Sequence, residues 1–515
     1  ATGKVEKVEG DPLGKVDLDG VNFSSVTKDI VATVYYDDKP RIYFKDKKYE
    51  KYYNDIKKRL GDREINFQSA TSDEKKFIVV SSSDVDPGTV WVYDTGSRNL
   101  STLYQVREKL DRKALSPMTS VRYKSSDGLE IQAYLTLPKG LAAKNLPLVV
   151  FPHGGPWGRD TWGYDSYAQF LANRGYAVLQ PNFRASTGFG KKFLNAGNNE
   201  WGEKMQDDIT WGIKYLVDQG TVDAKRVGIM GGSYGGYAAL AGVTFTPDVY
   251  AAAVAIVPPS NLQTLLDSIP PYWEAIRETF YKRMGDPRTP EGLAQMKRQS
   301  PHLHADKIKT PLMIVQGAND PRVKQRESDQ IVIALRDRKY PVEYILAPDE
   351  GHGFARPVNN MAMVAAAEKF LAKHLGGRYQ TTMTPEVAKR LGEITVDVSK
   401  VTVADPATSG GSTGSGSLSG KWTMTVDAGG QLIDLNLEIT QADNDFTGTM
   451  ASPVGGGKIE KGKVDGNKVT GTIQADVQGS PTTIEMSGTL EGDKMKGTLN
   501  VPGFGTLRFT AARPK

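Results

Sequence analysis

The chain has 515 residues, enough for about three domains, and is 39% hydrophobic, which supports a sizeable core. Its 65 basic and 60 acidic residues leave a net charge of +5 without a basic block, so nucleic acid and membrane surfaces are not expected partners. With no cysteine, disulfides, thiolate metal sites and a cysteine nucleophile are excluded, and no apolar run reaches the ~18–20 residues of a spanning helix.

Residues 1–20 read as a flexible, Gly/Lys/Asp-rich lead, with a polar start that carries no apolar signal-peptide core. Residues 21–115 read as all-β, interrupted by one helix over 49–60 that Gly61 stops. The strand-and-turn rhythm is that of propeller blades. A blade takes about 40–45 residues and a closed ring about four to eight blades, so this stretch is a partial propeller-like region. Its open strand edges would need a cover, and a homo-oligomer is one expected solution.

Residues 116–378 alternate short apolar strands with helices, the pattern of a doubly wound, mostly parallel sheet. A leading antiparallel pair and eight strands in all give the α/β-hydrolase layout. Residues 379–420 read as a linker, rich in Gly and Ser over 408–420. Residues 421–515 read as a small all-β barrel or sandwich, with a recurring Gly-Thr-hydrophobic step as in Gly488-Thr489-Leu490 and Gly497-Thr498-Leu499. Trp422 is expected to plug its core.

The strongest chemical signal is Gly231-Gly232-Ser233-Tyr234-Gly235-Gly236, which follows the apolar run 226–230 and precedes the helix-forming run 237–241. A serine on such a strand-to-helix turn is pushed out in a strained backbone conformation, and small neighbours are needed to make room. A hydroxyl needs a base and the base needs an orienting group. His352, in the glycine-flanked loop after the last expected strand, is the base candidate, and Asp320, after the preceding strand, is the orienter. Asp349 and Glu350 lie too close to His352 in sequence to reach behind its ring, and capping or solvent contact is expected of them. The oxyanion donors are expected to be the N–H groups of Tyr234 and Gly155, the latter in His153-Gly154-Gly155-Pro156-Trp157.

The remaining signals have plainer readings. His153 should brace its loop, and His302-x-His304 lacks a third ligand for a metal. His374 should close the last helix, Asp207 and Asp208 should be solvated helix charges, and Asp84-x-Asp86 should be a turn rather than a calcium loop. No cofactor and no metal is expected.

Together, the motifs at 153–157, 182–188 (Asn182-Phe183-Arg184-Ala185-Ser186-Thr187-Gly188), 231–237, 317–322 and 350–354 resemble the prolyl oligopeptidase family of serine peptidases, closest to its acylaminoacyl-peptidase-like branch. The resemblance implies the same roles for Ser233, Asp320 and His352. It further implies that Arg322 binds a substrate carbonyl and that the insertion 258–300 shapes a specificity pocket, with Tyr272 and Trp273 as candidates alongside Trp157. Ala185 stands where the family has glycine, and most of the family's propeller is absent, so its restriction to short peptides is not implied. The expected activity is that of a serine peptidase acting on short peptides or acyl-aminoacyl substrates. A carboxylic-ester hydrolase with a more open site and a non-catalytic binding protein on the same fold are the alternatives. The linker composition and the lack of cysteine lead us to expect an exported bacterial protein.

Overall fold

The computed structural model describes residues 9–403, 418–428, 431–442, 445–452, 455–465, 467–477, 480–491, 494–503 and 505–513. Two compact units, Ala1–Val403 and Ala404–Lys515, divide the chain. Most of the Gly/Ser stretch 408–420 therefore lies outside the described residues.

The first unit opens with an antiparallel sheet of β1 (Leu18–Phe23), β2 (Ile30–Tyr36) and β3 (Pro40–Phe44), followed by helix α1 (Lys47–Leu60). A second antiparallel sheet follows in the order β4 (Glu64–Ala70), β5 (Lys76–Ser83), β6 (Asp86–Asp94) and β7 (Leu100–Gln105). Asp46 starts α1 by accepting the N–H of Lys48 (2.6 Å) and Tyr49 (3.3 Å), and Gly61 at φ +70° ends it. The helix buries Tyr49 and Ile56 against Phe77, Val79 and Tyr93 of the second sheet. The described part of the lead is anchored rather than loose. Asp11 takes both Arg41 guanidinium nitrogens at 2.7 Å, and Glu9 accepts the Tyr35 hydroxyl at 2.8 Å. That bidentate pair holds the Asp11 carboxyl well below the ordinary carboxylate range.

The largest open sheet has eight strands: β8 (Met118–Lys124), β9 (Glu130–Thr136), β10 (Leu146–Val150), β11 (Ala177–Asn182), β12 (Val222–Gly232), β13 (Ala252–Ile256), β14 (Leu312–Gly317) and β15 (Val342–Ala347). Their order is β15-β14-β13-β12-β10-β11-β9-β8, with β9 antiparallel to β8 and to β11 and the other pairs parallel. This is the expected α/β-hydrolase sheet. Successive residues feed opposite cores: Leu148 and Val150 enter one cluster and Val149 the other, and Ile229 and Met230 divide likewise. Helices cover both faces, which is why these strands read as unbroken apolar runs.

Residues 379–403 are not a free connector. A helix over Pro385–Ile394 buries Val387 and Ile394 in the second cluster, and Val396 donates its N–H to Tyr344 of β15 at 2.9 Å. The apolar stripe of that helix binds it to the catalytic unit.

The second unit is a closed eight-stranded barrel between Gly420 and Ala512. Trp422 is 1% exposed, plugs the core as expected, and donates its indole N–H to Leu418 O at 2.9 Å. The Gly-Thr steps have a packing reason: Gly488 and Gly497 face each other across a strand pair, and a Cβ on Gly488 would lie 2.8 Å from Lys496 O.

Ala185 sits at φ +79°, in the left-handed region that a Cβ disfavours, facing Gly197, whose own Cβ would lie 2.5 Å from that of Ala185. Ala185→Gly should therefore stabilise the protein by about 1 kcal/mol, read as a higher denaturation midpoint with an unchanged slope. An unchanged or lower midpoint would show that the strain is not stored there.

Candidate active site

The five motifs meet at the carboxyl edge of the parallel strands. Ser233 follows β12 and precedes helix α2 (Tyr234–Phe245), with φ +58° and ψ −120°, a left-handed conformation costly for a residue with a Cβ. Three of the glycines around it, Gly231, Gly235 and Gly236, are required by contact. A Cβ on Gly235 would overlap the Pro152 carbonyl oxygen, one on Gly231 would lie 2.6 Å from Gly235 backbone, and one on Gly236 would lie 2.6 Å from Ile256 O. Ser233 N–H donates to Ile256 O at 2.9 Å, which ties the elbow to β13.

Asp320 lies in the turn after β14 and is 2% exposed. Its Oδ1 accepts the N–H groups of Arg322 (2.8 Å) and Val323 (2.9 Å), leaving Oδ2 to meet His352 Nδ1 at 2.7 Å. His352 arrives from the loop after β15, with its side chain 15% exposed. A carboxylate on Nδ1 fixes the tautomer with a free Nε2. Among the described residues the Ser233 hydroxyl makes no hydrogen bond, as is common before substrate binds. Asp349 and Glu350 do not reach His352. Asp349 pairs with Arg390, while Glu350 accepts the N–H of Ala355 (3.1 Å) and Arg356 (2.8 Å). That carboxylate caps the entry to the helix Pro357–Leu375.

Gly155 stands at φ +124°, and a Cβ there would lie 2.7 Å from Trp157 N. Beside it, a Cβ on Gly154 would lie 3.5 Å from Ser233 Cβ, so the loop after β10 lies against the elbow. His153 stacks on Phe183 (ring centroids 4.4 Å apart, planes 17°), and its Nε2 and Nδ1 contact Ser186 Oγ (2.8 Å) and Gly154 O (2.7 Å). It braces its loop, as expected.

A cavity of about 280 Å³ opens beside Ser233. Gly155, Trp157, Trp201, Tyr234, Leu266, Trp273, Phe280, Met284 and Arg322 are among its lining residues. The Arg322 guanidinium lies 5.9 Å over Trp273 and has no ion-pair partner among the described residues. Tyr272 is a correction: it is 59% exposed and does not line the cavity. The 3-10 turn Pro271–Ile276 sends adjacent side chains in different directions, so Trp273 turns inward and Tyr272 outward, with rings 5.7 Å apart and nearly perpendicular.

Asp208 is a second correction. It is fully buried, not solvated, and binds Arg184 through Nη2 (2.7 Å) and Nε (2.8 Å) while accepting the Ser125 hydroxyl at 2.5 Å. Asp127 holds the other edge of the Arg184 guanidinium, at 2.9 and 3.0 Å. Its partner is far away in sequence, so helical spacing carried no sign of it. Trp201, Phe280 and Met284 were likewise not singled out, because nothing local marks an aromatic or methionine as cavity wall. His304 contacts Lys297 O at 3.1 Å, and no group of three or more metal-ligating side chains occurs among the described residues.

Residues 162–378 match the family model described as "Prolyl oligopeptidase family". This part of the chain is a prolyl oligopeptidase family domain. Dipeptidyl aminopeptidase BIII of Pseudoxanthomonas mexicana is 52% identical over 326 residues, covering 62% of this chain and 47% of that protein. Dipeptidyl peptidase family member 6 of Caenorhabditis elegans is 40% identical over 338 residues, covering 61% of this chain and 46% of that protein. A puromycin-hydrolyzing peptidase of Mycobacterium tuberculosis superposes with a TM-score of 0.58 at 25% identity, covering 70% of this chain and 54% of that one. The chain thus spans about half the length of these relatives. In the prolyl oligopeptidase domain, Ser233, Asp320 and His352 follow the ends of β12, β14 and β15, with β13 between the first and the other two, in the chain order Ser, Asp, His.

Enclosure pushes the His153 imidazole down to about 4 from its ordinary 6.5, with help from nearby Arg159. The unfolded chain therefore takes up a proton near pH 6.5, whereas the folded chain waits until about pH 4. Stability should fall across that window and lose nothing more from this residue below it. In His153→Phe the melting temperature should depend less steeply on pH between 6.5 and 4 than in the parent; identical slopes would refute the assignment.

Proposed function

We propose that this chain is a serine peptidase that cleaves short peptides through an acyl-enzyme on Ser233. The observation that carries the reading is the 2.7 Å contact of His352 Nδ1 with Asp320 Oδ2, on a loop that serves the same strand edge as the strained Ser233. In this mechanism His352 Nε2 takes the Ser233 hydroxyl proton as Oγ attacks the scissile carbonyl carbon. Asp320 holds the imidazole and stabilises the imidazolium that forms. The N–H groups of Gly155 and Tyr234 receive the negative oxygen of the tetrahedral intermediate. His352 then returns the proton to the leaving amine, the C–N bond breaks, and water repeats the cycle to free the acid. Arg322, unpaired at the cavity rim, suits a substrate carbonyl.

The cavity supports a narrower substrate class. Its walls are aromatic and aliphatic, so the residue supplying the acyl group should carry a large apolar side chain. Burying such a group is worth about 1.5–3 kcal/mol. The names of the relatives support short peptides rather than folded proteins as substrates. Ester hydrolysis would run on the same groups, and the two are separated by comparing kcat/KM on peptide anilides and p-nitrophenyl esters.

Three outcomes are expected. Ser233→Ala should abolish hydrolysis, by a factor on the order of 10⁶, and Asp320→Asn should lower kcat by roughly 10⁴; hydrolysis surviving in purified Ser233→Ala would sink the reading. On peptide anilides, Phe or Leu before the scissile bond should beat Gly by roughly 10–100-fold in kcat/KM, and a preference for Asp or Glu would contradict the apolar pocket.

A further inference from the structure

We propose that the turn 182–187 is the template that sets the spacing of the two oxyanion donors, with Phe183 and Ser186 as positioning residues. The inference rests on the acyl-transfer reading above.

The two N–H groups belong to separate segments: Gly155 to the loop after β10, Tyr234 to the first turn of α2. Nothing covalent nearby fixes their separation. Such donors act only when they lie about 2.7–3.1 Å from the developing negative oxygen, and a displacement of about 1 Å can cost roughly 100-fold. Some element must therefore hold one segment against the other.

One ring touches both. Phe183, fully buried, stacks under His153 at 4.4 Å and packs against the Tyr234 ring at 5.0 Å. His153 lies two residues before Gly155, and Tyr234 carries the other donor. The turn also grips the glycine loop by hydrogen bonds. Ser186 Oγ meets His153 Nε2 at 2.8 Å, Thr187 N–H donates to Gly158 O at 2.9 Å, and Asn182 Oδ1 accepts Asp160 N–H at 2.8 Å. With His153 neutral, Nδ1–H donates to Gly154 O and Nε2 accepts the Ser186 hydroxyl, so both ring contacts are satisfied at once.

The template is itself immobilised. Arg184, between Phe183 and Ala185, has a side chain only 3% exposed and is held by Asp208 and Asp127. Neither Phe183 nor Ser186 lines the cavity, so removing this support should weaken transition-state binding far more than ground-state binding.

The experiment compares Phe183→Leu, Ser186→Ala and Ser186→Thr with the parent, each checked for folding by circular dichroism and thermal melting. It measures kcat and KM on a peptide anilide and the affinity for a peptidyl trifluoromethyl ketone, which forms a tetrahedral adduct on Ser233. We expect kcat to fall about 10–100-fold in Phe183→Leu and Ser186→Ala, with KM within about twofold. Affinity for the ketone should fall by the same factor as kcat/KM, and Ser186→Thr, which restores the hydroxyl, should recover part of the loss. A folded Ser186→Ala with unchanged kcat, or with KM raised and kcat unchanged, would overturn the proposal, as would ketone affinity that does not follow kcat/KM. If Phe183→Leu does not fold, the two Ser186 variants decide. Activity that survives in Ser233→Ala would instead overturn the reading beneath it.

Discussion

Ser233 is held with its backbone in the left-handed region, and the architecture of the catalytic unit follows from that strain. A conformation of this kind costs about 1–3 kcal/mol and persists only where its surroundings over-determine it. Here the surroundings are the β13 carbonyl that accepts its N–H and three glycines whose Cβ atoms would collide with neighbouring backbone. The elbow projects the hydroxyl beyond the sheet and leaves the first N–H of the following helix free. Ala185 after β11 and Val257 after β13, at φ +79° and +44°, are strained in the same way, and Val257 leads into the insertion that walls the cavity.

Support for this edge comes from buried polar clasps rather than from apolar packing alone. Arg184 between two carboxylates fixes the turn beside the glycine loop. Glu327, 1% exposed, accepts the N–H groups of Ser260 (2.8 Å) and Asn261 (2.9 Å) and so ties the start of the pocket insertion to the helix after Asp320. Breaking one partner of such a group is far more costly than its net contribution suggests, because the other is left buried and unpaired. Loops bearing catalytic groups are normally the mobile part of a fold, and here they are pinned at points a few residues from the chemistry.

How far the sequence could be read depended on the range of the forces involved. The elbow, the glycine loop and the Asp320 and His352 turns were legible because each has a local steric cause. Gly231 and Gly155 are forced by contacts within their own turns, and strands buried on both faces are mostly apolar. Asp208 was misread because an aspartate beside another near a helix start has the local pattern of a solvated charge; only the arrival of Arg184 from another strand end makes it a buried pair. Tyr272 and Trp273 looked equivalent as neighbours in the chain, and a single turn of 3-10 helix separated them. Residues 379–403 looked like connector because their one short helix has no partner in sequence, yet its apolar stripe found the catalytic core.

The candidate nucleophile, base and orienting acid, and the class of sheet that carries them, were legible in the sequence alone, because local stereochemistry dictates which residues can occupy such turns. The shape of the cavity, the alignment of His153, Phe183 and Tyr234, and the pairing of Arg184 with its carboxylates were decided only by tertiary structure. Those depend on which strands become neighbours in the sheet, and no spacing along the chain encodes a contact between segments that follow different strands to the same edge.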